Sequence, residues 1–176
     1  MNYNIEQRRR RSIRLLGYDY AQTGGYFVTI CTQGRACIFG DVVDGEMRLN
    51  HAGEMVQRWW TEMGNKFPAF QADEYVVMPN HFHAVVNLVS PKGAHAEAPL
   101  STMVQWLKTM TTNEYIRCVK QCGWPPFSKR VWQRNYYEHI IRDESALGRI
   151  RRYIVDNPAK WHKDPENPLN ARQRPT

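Results

Sequence analysis

The stretch from Glu74 to Val89, E-Y-V-V-M-P-N-H-F-H-A-V-V-N-L-V, constrains the fold more than any other part of this chain. Two short valine-rich runs flank Pro79-Asn80, which is the pattern of two strands joined by a tight turn. Along the second run successive side chains point to opposite faces, so Phe82, Ala84, Val86 and Leu88 line one side while His81, His83, Val85 and Asn87 line the other. The first side is wholly apolar and predicts burial against helices. The second sets two imidazoles one strand period apart, roughly 6 to 7 Å, close enough to share one cation. A His-x-His pair on a strand occurs in metal enzymes and also as two stacked histidines with no ligand. Its surroundings decide between them.

Upstream, Gly24-Gly25 opens Y-F-V-T-I-C-T, in which Tyr26, Val28 and Ile30 alternate with Phe27, Thr29 and Cys31, predicting a central strand. Residues 36 to 50, with Asp44-Gly45 between two weak apolar runs, predict a small appended ribbon. From His51 to Lys66 the period changes: Met55, Val56, Trp59, Trp60 and Met63 form a helical stripe. Residues 90 to 99 read as a connection in which His95 is solvated. A second helix is predicted from an N-cap at Ser101 to about Gln121, with Val104, Trp106, Leu107 and Met110 inward and Lys108, Arg117 and Lys120 available to solvent or phosphate. A fourth strand is placed near Val131 to Arg134. A last helix starts at a cap on Asp143 or Ser145 and ends at Pro158, leaving an irregular, proline-rich tail.

The resulting order, β-α-β-β-α-β plus one helix, predicts an α+β, ferredoxin-like antiparallel sheet with helices on one face and an extra C-terminal helix. His81 and His83 then fall on the open face. The organisation expected is a basic N-terminal arm over 1–20, one domain over 21–161 and an irregular tail over 162–176. A chain of 176 residues with 42% hydrophobic side chains buries a real core. Its formal charge of +7 therefore sits on a folded surface and points to an anionic partner, nucleic acid first. No apolar run reaches the length of a membrane span. The arginines Arg8, Arg9, Arg10 and Arg11 have no apolar stretch behind them, so a secretory leader is not expected. Cys31, Cys37, Cys118 and Cys122 are accordingly expected reduced and packed rather than paired or zinc-bound, in a cytoplasmic, nucleoid-associated protein.

On the last helix Leu147, Ile150 and Ile154 form one stripe with Tyr153 at its edge, Asn157 one turn further on, and Arg149 and Arg152 on the polar side. By itself this is also how a half-buried packing tyrosine with solvated arginines is written. Together, M-P-N-H-F-H (78–83), W-Q-R-N-Y-Y-E-H-I-I-R (132–142) and R-Y-I-V-D-N-P (152–158) closely resemble the REP-associated tyrosine transposases, a branch of the insertion-sequence-type single-tyrosine HUH transposases. The resemblance spans roughly Gly25 to Trp161. It implies that His81 and His83 hold a divalent metal, Mg²⁺ or Mn²⁺, with Asn157 standing where relatives often have glutamine, and that Tyr153 is the nucleophile. Tyr136 and Tyr137 are rivals on bare chemistry, and the resemblance makes them DNA-contacting or packing residues. Trp132 and His139 are expected to support the site.

The implied reaction is cleavage and rejoining of single-stranded DNA bearing hairpins of palindromic repeats, through a 5′-phosphotyrosine link. Arg8, Arg9, Arg10, Arg11, Lys108, Lys129, Arg130, Arg134, Arg149 and Arg152 are the candidate phosphate contacts, with aromatic rings stacking on unpaired bases. The protein would work as a monomer or homodimer. Two other classes fit the same residues: a metal-dependent nuclease that uses water, with Tyr153 structural, and a non-catalytic DNA-binding protein.

Overall fold

A computed structural model describes residues 22–89 and 98–171; Arg8 to Arg11, His95 and the last residues of the tail lie outside the described residues. A four-stranded antiparallel sheet is built from β1 (Gly24–Cys31), β4 (Phe70–Val77), β5 (His81–Leu88) and β6 (Tyr137–Ile141) in the order β4-β5-β1-β6. This is the ferredoxin-like order, produced when a hairpin inserts its second strand between the first strand and its own partner. The ribbon of β2 (Gly40–Val43) and β3 (Glu46–Leu49) stands apart as a second sheet. Its turn, Asp44-Gly45, has φ of 54° and 78°, the left-handed pair that a two-residue hairpin loop requires.

Helix α1 (His51–Lys66) begins where the Asn50 side chain accepts from the Ala52 and Gly53 amides. Its stripe of Met55, Val56, Trp60 and Met63 is buried with α2 (Leu100–Gln121) on one face of the sheet, over Tyr26, Val28, Ile30, Phe82, Ala84 and Val86. Trp60 meets Phe82 edge-on with centroids 5.0 Å apart. Helix α2 starts at Leu100, one residue before the predicted cap: Pro99 holds extended backbone, and Ser101 lies inside the helix with no side-chain cap at this end. Leu100 is wholly buried, so packing sets the start.

The fourth strand lies further along than Val131–Arg134. Val131 and Trp132 are buried, and the segment makes a lone bridge from Trp132 to Thr32. Lys108 is the reason. Its Nζ lies 3.0, 3.3 and 3.3 Å from the carbonyl oxygens of Gln133, Arg134 and Asn135, which are thereby turned away from a strand ladder. Pairing resumes only at Tyr137, opposite Thr29. The same bonds correct the role predicted for Lys108, which is 6% exposed and holds the chain together instead of meeting phosphate.

Helix α3 (Glu144–Asp156) starts at Asp143, whose side chain accepts from the Ala146 amide, and packs on the sheet face opposite α1 and α2. A paired Arg151–Asp73 contact at 2.8 and 2.6 Å docks it to the β4 edge. After Asn157 the chain does not trail off. A 3-10 segment, Pro158–Lys163, packs against the ribbon, and the short helix α4 (Pro168–Ala171) follows.

Candidate active site

Strand alternation places Thr29 opposite His83 and Cys31 opposite His81 on the face that α3 covers. The two imidazoles are 4% and 0% exposed, not open as the sheet plan suggested, because α3 and the segment after it lie over them. Ring centroids are 4.5 Å apart.

Each imidazole is oriented by a neighbour. Asn80 Nδ2 donates to the carbonyls of Arg35 and Glu166, at 3.1 and 2.8 Å, which leaves Asn80 Oδ1 to accept from His81 Nδ1 at 2.8 Å. His81 Nδ1 therefore bears the proton, and Nε2 presents a lone pair that has no hydrogen-bond partner. His83 Nδ1 lies 2.7 Å from Thr29 Oγ1, and its Nε2 lies 3.3 Å from the Tyr153 hydroxyl. Burial drives the His81 pKa down to about 4. It drives that of His83 lower than usual as well, with His81 adding to the effect. Both are neutral near pH 7, the form that ligates metal.

Tyr153 is 45% exposed; its ring meets Phe27 edge-on at 6.0 Å and His83 at 5.2 Å. Burial first, then the Asp164 carboxylate, raises its pKa above that of an ordinary phenol, against a hydrogen bond from Asn157 that lowers it. Asn157 is 3% exposed and its Oδ1 has no partner. Asp164 closes the group: its Oδ2 stands 3.7 Å from His81 Nε2, and ligand atoms of His81, His83 and Asp164 all lie within 4.8 Å of one another. A cavity of about 420 Å³ opens beside them, lined by Phe27, Cys31, His83, Gln133, Asn135, Tyr136, Tyr137 and Tyr153 among others.

His81, His83, Tyr153 and Asn157 thus lie together in the structure. Tyr136 and Tyr137 line the same cavity, Tyr136 beneath the Lys108 ammonium at 5.5 Å and Tyr137 edge-on to Phe27. Arg149 and His139 line a shallower depression with Tyr153, while Arg152 is exposed. Trp132 belongs to the core, donating from Nε1 to Thr111 Oγ1 at 2.8 Å and packing on Phe39. Lys129, Arg130 and Arg134 line a separate groove of about 450 Å³ against the polar face of α2. Sequence reasoning missed Thr29, Asn80 and Asp164. The signal for Asp164 was Asp-Pro-Glu, the spelling of an Asx turn: Asp164 Oδ1 accepts from the Glu166 amide at 2.7 Å, so the chain turns back here.

A family model described as "Transposase IS200 like" matches residues 25–157, most of the chain, and the protein belongs to that family of DNA-cleaving transposases. It is 36% identical over 171 residues to an uncharacterised protein of Haemophilus influenzae, covering 92% of this chain and 95% of that one. It is 26% identical over 145 residues to a second protein of that organism, provisionally named a REP-associated tyrosine transposase, covering 81% of this chain and 74% of the relative. The fold also matches a solved REP-associated tyrosine transposase bound to a REP hairpin, with a TM-score of 0.60 at 21% identity over 84% of this chain and 74% of that one. These matches agree with the REP-associated type expected from the motifs. Among the described residues no helix is long and apolar enough to cross a membrane.

Proposed function

We propose that this transposase cleaves and rejoins single-stranded DNA at hairpins of palindromic repeats through a covalent link to Tyr153. The observation that supports this most is the Tyr153 hydroxyl standing 3.3 Å from His83 Nε2 beside the unpartnered Nε2 of His81. Two neutral imidazoles and an unpaired amide oxygen on Asn157 are the donor set a divalent cation needs, and His81, His83 and Asn157 would hold it. Such a cation, Mg²⁺ or Mn²⁺, supplies a Lewis acid that polarises the scissile phosphate and offsets charge on the departing 3′ oxygen.

The chain's own groups do the rest. Phe27 packs against Tyr153 and His83 and holds the phenol over the imidazole. Thr29 and Asn80 fix both rings so that each Nε2 faces the site. The phenol gives its proton to water and its oxygen attacks phosphorus. The bond from phosphorus to the 3′ oxygen breaks, that oxygen takes a proton from water, and the products are a 5′-phosphotyrosine and a free 3′-OH. Reversal with a different 3′-OH rejoins the strand. Lys129, Arg130 and Arg134 grip the backbone of the hairpin, and Arg149, with Arg152 further out, guides the single strand towards Tyr153. The basic arm Arg8 to Arg11 adds non-specific affinity. Work on DNA places the protein in the cytoplasm with the nucleoid.

Incubation of hairpin-bearing single strands with the protein and Mn²⁺, resolved on a denaturing gel, tests this. A protein-DNA adduct that Tyr153→Phe abolishes is the expected result. Cleavage without an adduct would make the protein a water-using nuclease, and metal-independent binding without cleavage a non-catalytic binder.

A further inference from the structure

The carboxylate of Asp164 faces the lone pair of His81 Nε2 across 3.7 Å, too far for a hydrogen bond and with no other partner for that nitrogen. The tautomer is fixed from the far side of the ring. Because Asn80 Nδ2 is spent on two carbonyls, its Oδ1 accepts from His81 Nδ1, and no proton is left on Nε2 to give to Asp164. Two electron-pair donors, 0% and 6% exposed at the side chain, are thus aimed at each other, an arrangement that costs free energy unless a cation stands between them. Donors sharing one cation at about 2.1 Å each lie about 3 to 4 Å apart, which is the spacing seen.

The segment that bears Asp164 is held against the sheet from several sides. Arg35 Nε pairs with Glu166 Oε2 at 3.0 Å, Asn80 Nδ2 bonds the Glu166 carbonyl, and Trp161 lies 5.9 Å from the His81 ring. Asp164 Oδ1 is taken by the Glu166 amide, while Oδ2 faces His81 and the Asn157 side chain also reaches the carboxylate. Trp161, Asp164 and Glu166 lie beyond residue 157, where the match to the family model ends, and their partners Arg35, Asn80 and His81 lie within it.

We infer that Asp164 is a metal ligand of this site, supplied by chain beyond the family-matched region, so that a bound divalent cation clasps the segment from Pro158 to Ala171 onto the sheet. The inference rests on the proposed metal role of His81 and His83. A bare carboxylate plug over the site, which DNA must push aside, is the opposing arrangement and behaves differently when Asp164 is changed.

The test uses the full chain and Mn²⁺ alone. Binding is followed by titration calorimetry and by the loss of the free Mn²⁺ resonance signal. Hydrogen exchange is followed at the amides of Asp164, Glu166 and Asn167. The expected result is one Mn²⁺ per chain, slower exchange at those amides once it is bound, and affinity weakened by roughly tenfold or more in both D164N and H81A. If H81A loses Mn²⁺ while D164N binds it as the unaltered chain does, the histidine site stands and the assignment of Asp164 falls. If D164N instead binds hairpin DNA more tightly with unchanged Mn²⁺ affinity, the plug is correct. An unaltered chain that takes up no Mn²⁺ overturns both readings. Exchange in the unaltered chain remains decisive even where D164N folds poorly, since amides indifferent to Mn²⁺ refute the clasp.

Discussion

Strand β5 is buried on both faces, yet the two faces of the β1–β5 pair are chemically opposite. On one, Val28 faces Ala84 and Ile30 faces Phe82; on the other, one residue along, Thr29 faces His83 and Cys31 faces His81. Phe82 and His81 are both 0% exposed, so burial alone does not tell core from site. What differs is the chemistry of the enclosed polar atoms. On the helical face the Trp60 indole Nε1 is buried without a partner, a donor that cannot ligate a cation, whereas the α3 face encloses two unpartnered acceptors, His81 Nε2 and Asn157 Oδ1. Buried polar atoms left unpaired cost stability and are uncommon in folded proteins. Two lone-pair donors without a partner at one spot are what a cation would satisfy, which the Trp60 N–H is not.

The widest separation between the faces should come from His83→Ala against Phe82→Ala, adjacent residues that point opposite ways. His83→Ala should abolish strand cleavage while leaving most hairpin affinity, because the site acts on the transition state and the basic surface supplies binding. A gel assay and a binding titration on one preparation check this, and cleavage at the unaltered rate would mean that the pair is structural. Phe82→Ala should instead destabilise the fold by about 3 to 5 kcal/mol, since it opens a cavity beneath Trp60 and Tyr75. Denaturant unfolding should show the larger loss for Phe82→Ala, and a larger loss for His83→Ala would erase the distinction between the faces.

Acid should weaken the site face first. His81 and His83 have pKa values held below that of an exposed imidazole by burial, His81 at about 4. Between the ordinary value of about 6.5 and the lowered one, the unfolded chain binds protons that the folded chain refuses, so stability falls as pH falls through that window. For His81 alone the loss amounts to a few kcal/mol, on the order of the shift converted at 1.36 kcal/mol per unit. Asp164, whose carboxyl is raised by burial, takes up its proton early in the folded state and offsets part of this. Melting curves from pH 7 to pH 4, with and without Mn²⁺, should fall together at the acid end as protons displace the ion. A flat profile would mean that the imidazoles titrate as if exposed.

Much of this contrast was legible in the sequence because strands write alternation directly. The partition of Phe82, Ala84, Val86 and Leu88 from His81 and His83 needed only period two, and the α1 stripe from Met55 to Met63 only period 3.6. What escaped depends on contacts far apart in the chain. Lys108 reads as a surface cation on a helix until the carbonyls of Gln133 to Asn135 fold over it, and the same bonds displaced the fourth strand. The covering of the histidines escaped too, since α3 is docked by Arg151 reaching Asp73, 78 residues away in sequence. Asp164 sat in chain that looked like an unstructured tail.

The groove of Lys129, Arg130 and Arg134 offers a gentler contrast, between affinity and chemistry. Replacing the three with alanine should lower hairpin affinity several-fold and reduce the slope of log affinity against log salt by roughly one per lost phosphate contact. Cleavage of bound strand should keep its rate, because Lys129, Arg130 and Arg134 line the groove and not the cavity beside Tyr153, which it meets at Gln133. Unchanged slope would make these cations solvated bystanders. A fall in the cleavage rate at saturating DNA would place them in the site.

Tyr137 should respond least of all, and it probes the site face from its rim. It begins β6 opposite Thr29, is 47% exposed, and touches Phe27 edge-on at 6.5 Å, so it shares the cavity with Tyr153 without sharing the His83 contact found there. Tyr137→Phe keeps the ring that a DNA base would stack on and removes one largely solvated hydroxyl, a change of at most about 1 kcal/mol. Cleavage should fall by no more than a few-fold, with the protein-DNA adduct still formed and still absent in Tyr153→Phe. Peptide mapping of the adduct makes the measurement decisive. A phosphotyrosyl link recovered on the peptide containing Tyr137, together with loss of adduct in Tyr137→Phe, would move the nucleophile from α3 to β6 and leave Tyr153 as the packing residue.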